Sequence, residues 1–331
     1  NALLLYRLVY PKVTLEAKMA ERIVDVERYR DNIAETSSLT AARNASAIKR
    51  KIKRLLAKLA KEQEKLHKMP DYDQELAMRE ASCYFALHRL REAIAAFWGV
   101  YHDFPDHPLA DQALYATFTT AYTMGDIDRS IKEGYAYLRI FPKGKFYEIL
   151  SLNLAQIHYQ RGEHQACIDL ARKALALRPN HESADQLRYL IGYNLFQMER
   201  LPEAEPAFAE VREKHPESQV AESAAYWQAM CQLYDGRYPE AEGSFTAFVA
   251  QYLGGMFYSD ALYRLAICQY GNADFSGAAA TLESFVERFP EQPSKPEALT
   301  MLGDIYASDA ELDRALAQYE AAVDCAVTMV Q

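Results

Sequence analysis

Small and large apolar residues recur along this chain at one fixed spacing. The segments that close on Phe-Pro or a similar pair end at Pro105, Pro142, Pro179, Pro216, Leu253 and Pro290, each 37 residues after the last. Twelve residues before that mark stand Ala93, Ser130, Cys167, Ala204, Ala241 and Ala278, with Ala315 one period further on. Twelve residues earlier still lie Ala81, Phe118, Ala155, Gly192, Ala229, Ala266 and Gly303. Two small sites per period let two helices approach closely, with Phe118 the exception. Between them sits a short turn, Met124-Gly125-Asp126, Arg161-Gly162-Glu163 or Asp235-Gly236-Arg237, where glycine supplies the left-handed backbone that helix ends often need. Four places after the second small site comes a large apolar residue (Phe97, Phe208, Phe245, Leu282, Tyr319), one buried stripe at helical spacing. A proline then stops the helix. Each period therefore predicts helix, turn, helix, and the fold class is all-α. A repeat this regular decides the architecture.

The pattern of a small residue, a tyrosine, a turn glycine, an alanine, an aromatic and a closing proline resembles the tetratricopeptide repeat family. Seven units fit, from about Gln74 to about Met329, and the three residues beyond the usual 34 fall between units, as in 105–111 and 216–222. Ala261-Leu262-Tyr263-Arg264-Leu265-Ala266 with a closing Arg288-Phe289-Pro290 looks like bacterial envelope repeats, among them the Tol-Pal-associated periplasmic coordinator and the outer-membrane β-barrel assembly lipoprotein. The resemblance implies a right-handed superhelix with a concave groove lined by the first helix of each unit. At one level of that groove it places Met78, Tyr115, Leu152, Tyr189, Tyr226, Tyr263 and Thr300. At a second level it places Phe85, Tyr122, Tyr159, Phe196, Leu233, Tyr270 and Ala307, with Tyr193 between the two. The partner-binding set it predicts is Tyr115, Tyr122, Tyr159, Tyr189, Tyr193, Phe196, Tyr226, Tyr263 and Tyr270. Tyrosine offers a large contact area at low rotamer entropy with a polar tip, which suits a peptide or helix laid along the groove. The same tyrosines also suit packing between adjacent helices. The Lys, Asn and Arg clamp by which eukaryotic relatives hold a terminal carboxylate is absent, so a neutral or basic, partly apolar segment is the expected ligand.

The first seventy residues lack the repeat. Leu15, Met19, Ile23, Val26 and Ile33 form one apolar stripe and Ile48, Ile52, Leu55, Leu59, Leu66 and Met69 a second, with 35–38 interrupting them. This predicts a helical hairpin over 1–70, docked on the first repeat as a cap or paired with a second copy as a coiled coil, followed by the repeat domain over 71–331.

Charge divides at the same place. The net charge of −9 is +8 over 1–70 and −17 over 71–331, and Arg43 to Lys68 holds ten basic and two acidic residues. The cluster Lys49, Arg50, Lys51, Lys53 and Arg54 supports a second reading, an adaptor for anionic membrane or nucleic acid through 43–68. The segment lacks aromatic residues for stacking or membrane insertion, and the acidic body would repel nucleic acid.

Catalytic parts are missing. No arrangement of nucleophile and base has a supporting spacing, and Lys143-Gly144-Lys145 lacks the glycine spacing and strand of a phosphate loop. His164, Cys167 and nearby His158 supply too few ligands for a metal. His102 and His107 are read as solvated. Five cysteines with no CxxC pair suggest neither a disulfide framework nor a zinc ribbon, and Cys83, Cys231 and Cys268 share one repeat position, which argues for packing. No cofactor and no metal are expected, and the chain reads as non-catalytic. Leu3 to Tyr10 is too short to span a bilayer, though it could continue from a removed signal or anchor. The resemblance favours the bacterial envelope or periplasm, and the unpaired cysteines the cytoplasm.

Overall fold

A computed structural model describes residues 9–35 and 42–330. Sixteen α-helices and no strand occur among the described residues. The chain falls into two compact units, 1–147 and 148–331. The break expected between 35 and 38 lies partly outside the described residues.

Unit 1 begins with α1 (Lys12–Glu35) and α2 (Ala42–Lys68), which pack on each other, and continues with α3 (Asp73–Ala86), α4 (Leu90–Asp103), α5 (Leu109–Thr123) and α6 (Ile127–Ile140). The first turn of α1 is tied to the junction before α3. The Lys12 ammonium donates to the Met69 carbonyl at 2.6 Å and to Asp71 at 2.7 Å, and the backbone amides of Lys12 and Val13 donate to Asp73. Of the second predicted stripe, Ile52 and Leu59 are buried, while Ile48, Leu55 and Met69 remain exposed. The hairpin belongs to the same compact unit as the first two repeats, so the proposed domain boundary at 70/71 rests on the repeat period.

Unit 2 continues with α7 (Tyr147–Gln160, entering it at Glu148), α8 (His164–Leu177), α9 (Ala184–Gln197), α10 (Leu201–Lys214), α11 (Ala221–Tyr234), α12 (Tyr238–Gln251), α13 (Tyr258–Gly271), α14 (Phe275–Arg288), α15 (Lys295–Ser308) and α16 (Leu312–Val330). All the small sites of both series are buried, and Phe97, Phe208, Phe245 and Leu282 fill the space between them. Phe118 is buried too, its ring 6.3 Å from that of Tyr115.

The turn inside each unit places one residue in the left-handed region at the same point of the period. Gly125, Gly162 and Gly236 do so as expected, and His88, Glu199, Ala273 and Ala310 adopt φ of 55, 58, 61 and 63° in the other four. The sequence signals only the glycines, because the geometry is set by packing of the two helices, which overrides the steric cost to a Cβ.

The residues between units have a structural task that the period conceals. Positions 111, 148, 185, 222 and 259, in the first turns of α5, α7, α9, α11 and α13, reach forward to the next inter-unit loop. Asp111 accepts the Lys145 amide at 2.9 Å, Glu148 the Glu182 amide at 2.8 Å, and Glu222 the Phe257 amide at 3.3 Å. Asp185 accepts the Ser218 hydroxyl at 2.5 Å and Ser259 the Gln292 amide at 3.0 Å. Loop donors that helix formation leaves without partners are thus satisfied from the preceding unit. His107 takes part in the same loops, half-buried with its Nδ1 accepting the Leu109 amide at 3.2 Å, whereas His102 is exposed and stacks on Trp98 at 4.8 Å.

All five cysteines are free thiols. Burial pushes Cys167, Cys231 and Cys268 up to about 12. A thiol reagent at neutral pH is therefore expected to count two reactive groups on the native chain, half-buried Cys83 and Cys325, and five after denaturation. A native count of four or five would show that the repeat core is open.

Candidate functional site: an aromatic path on the first helices

In unit 2 the first helices present a run of touching rings. Tyr159 on α7 meets Tyr193 on α9 edge-on, with centroids 5.6 Å apart. Tyr193 meets the Trp227 indole on α11 at 5.0 Å, and Trp227 lies 4.9 Å from Phe196 and 6.4 Å from Phe257. Phe196 reaches Tyr234, the most exposed ring of the run, at 5.6 Å. Three successive first helices are thereby linked by aromatic contacts whose edge-to-face geometry is favourable. Tyr189 supports the run from beneath, 6.1 Å from Tyr193 and 5.9 Å from buried Phe208. Burial, and after it Tyr193 and Tyr159 nearby, pushes its phenol up to about 12, so it stays a neutral hydroxyl.

The predicted set divides on burial. Tyr159, Tyr193 and Phe196 lie on the path with accessible surface, and exposed Tyr270 on α13 meets Phe275 edge-on at 5.3 Å, outside the run. Tyr226 and Tyr263 are only 5 and 8 % exposed. Tyr226 packs against Phe245 and Phe248 and donates its hydroxyl to Asp260, and Tyr263 packs on Phe285, so both serve the core and present little surface to a partner. Asp260 is held in turn by Arg264 at 3.2 Å. Tyr115 and Tyr122 belong to unit 1, where half-buried Tyr115 stacks on Phe146 at 4.2 Å and 2° and exposed Tyr122 faces Phe118 at 6.4 Å. Lys49, Arg50, Lys51, Lys53 and Arg54 are exposed along α2.

Trp227, Phe257, Tyr234 and Phe146 escaped the sequence reading. Trp227 sits one residue beyond a tyrosine level, off the two levels that were followed. Phe146 and Phe257 stand in inter-unit loops, yet they are three periods apart, and each stacks on the tyrosine 31 residues before it: Phe146 on Tyr115, and Phe257 on Tyr226 at 4.5 Å and 15°. Following the period into the loops would have found both. Among the described residues no cluster of three or more His, Cys, Asp or Glu could hold a metal ion. His164 instead meets the Asn194 side chain at 2.8 Å, whose amide reaches the Cys167 sulfur at 3.3 Å.

Comparison with known proteins agrees with this architecture. A family model described as an outer membrane lipoprotein, YfiO, matches residues 218–331, and a tetratricopeptide repeat model matches 150–181. No curated protein sequence matches. Among solved structures, the C-terminal part of a repeat-containing protein from Cytophaga hutchinsonii is 15 % identical, covering 75 % of this chain and 93 % of that one with a TM-score of 0.53. A tetratricopeptide repeat protein from Parabacteroides merdae is 18 % identical over 76 % of this chain and 93 % of its own, with a TM-score of 0.46. The chain thus carries a segment that matches the tetratricopeptide repeat and has the fold of a tetratricopeptide repeat array.

Proposed function

We propose that the chain is a non-catalytic protein-binding scaffold that holds a partner segment, a peptide or a helix, against the aromatic path of unit 2. The observation that carries this reading is the chain of rings from Tyr159 through Tyr193 and Trp227 to Phe196 and Tyr234. Large, stiff aromatics with polar tips concentrate binding energy at protein interfaces, and a run of them across three helices exceeds what core packing of a repeat requires. Charges bordering the path are internally paired, as at Asp260 and Arg264, which suits a neutral or basic, partly apolar ligand. The match of 218–331 to an outer membrane lipoprotein family supports a place in the bacterial envelope. Among the described residues no helix is long and apolar enough to cross a membrane.

Pull-down with partner identification by mass spectrometry tests the reading. Tyr193→Ala with Trp227→Ala is expected to lower capture of the partner at least tenfold, while reversal of Lys49, Arg50 and Lys51 to Glu leaves capture unchanged. Loss confined to the charge reversal would overturn the groove assignment in favour of an anionic ligand on α2.

A further inference from the structure

The outer face of α16 carries an uncovered apolar stripe. Leu312, Leu316, Val323 and Val327 are 69, 57, 61 and 55 % exposed and fall on one ridge with Glu320 at its centre. The other side of α16 is used, since Ala315 and Tyr319 pack into the repeat core and Ala322 is buried. The repeat register says what kind of object fits the open side. Val323 is one period after Val286 and two after Val249, and both of those pack in the cores formed where their unit meets the next. The ridge is thus shaped to receive a further helix. Its fringe is acidic, with exposed Asp313 and Asp324 beside Glu320.

A helix of complementary character is exposed in unit 1. On α2, Ile48, Lys51, Leu55 and Lys58 are spaced 3-4-3 along one ridge, all exposed, with Arg54 beside them. Apolar and basic positions alternate there, whereas the α16 ridge sets one acidic position, Glu320, among four apolar ones. The imbalance of +8 over 1–70 against −17 over 71–331 points the same way. We infer that α2 of one copy docks on the α16 ridge of a second copy, so that the chain associates head to tail. Ile48 and Leu55 cover the valine and leucine knobs, and Lys51 and Lys58 meet Glu320 and its acidic neighbours. The contact is heterologous, joining different surfaces of the two copies, so an associated pair keeps one free α2 at one end and one free α16 at the other.

Sedimentation velocity over a concentration series tests this. The chain is expected to associate beyond a dimer, and to weaken at least tenfold between about 0.1 and about 1 M salt as the Debye length falls from about 10 to about 3 Å. Lys51→Glu with Lys58→Glu should give a monomer, and so should Leu316→Glu with Val323→Glu. All four sites are exposed, so folding is preserved, and circular dichroism checks it. Mixing the two monomeric variants is the deciding arm, because the first retains its α16 ridge and the second its α2. The mixture should form a one-to-one complex and stop there. Association of the lysine variant by itself would instead show α16 pairing with α16, and a wild-type chain that stays monomeric at all concentrations would overturn the inference outright.

Discussion

Replacing Phe208 with alanine is expected to destabilise the chain by about 3–5 kcal/mol, the usual loss for a fully buried aromatic ring, and to do so through the packing of one repeat. Phe208 is fully buried on α10. Its ring lies against Gly192 so closely that a Cβ at Gly192 would stand 2.9–3.0 Å from three ring carbons. The glycine has no side chain with which to fill the void the alanine leaves. Conversely, Gly192→Ala should cost about 1–3 kcal/mol by forcing the ring outward. Because each change acts on the same contact, the pair Gly192→Ala/Phe208→Leu should cost less than the sum of its single changes, and a double-mutant cycle measures the coupling. Urea unfolding followed by circular dichroism is the readout, using the shift of the first transition, since neighbouring repeats can separate into steps. Additive effects would show that the ring and the glycine do not share a site. The effect extends to function, because Tyr189 rests on Phe208 and Tyr193 on Tyr189. A chain weakened at Phe208 should lose partner capture before it loses helix content.

Features that repeat at fixed positions were readable from the sequence because burial enforces them in every unit. The two series are buried throughout, Phe118 included, and in five of the seven units a large residue four places after the second site fills the gap between them. Features arising from differences between units were not readable. Tyr226 and Tyr263 share a level with Tyr189, yet they are pulled into the core where Phe245, Phe248 and Phe285 offer a deeper seat. Trp227 stands where other units have Asn153, Leu190 or Arg264, so no shared position marks it. The left-handed turns at His88, Glu199, Ala273 and Ala310 carry no glycine to announce them. Tertiary packing sets each of these, and period alone does not carry that information.

The junction where α7, α8 and α9 meet should give the chain a two-stage loss of stability in acid. His181 in the inter-unit loop is buried, its Nε2 2.9 Å from the Ser151 hydroxyl and its Nδ1 accepting the Ser183 amide at 3.0 Å. Both ring nitrogens are occupied only in the neutral form, with the proton on Nε2. Burial, opposed by Glu148 and Glu182 and aided by Arg178, holds its pKa below the ordinary 6.5. The unfolded chain therefore takes up this proton first. Stability from His181 is complete above 6.5 and is lost as pH falls through the lower folded value. Glu148 acts further down. The Glu182 amide, and then Arg178 at 2.9 Å, hold its carboxyl below the ordinary 4.5, so its contribution is complete above 4.5 and is lost as pH falls through its depressed folded value. Urea unfolding from pH 8 to pH 3 should show one decline setting in near 6.5 and a second below 4.5. His181→Gln should flatten the first. Glu148→Gln should flatten the second, lower stability at neutral pH by about 1–2 kcal/mol through its weakened hydrogen bonds, and steepen the first by removing a charge that favours the imidazolium. An unchanged slope between pH 7 and 5 in the His181 variant would place the acid sensitivity elsewhere in the chain.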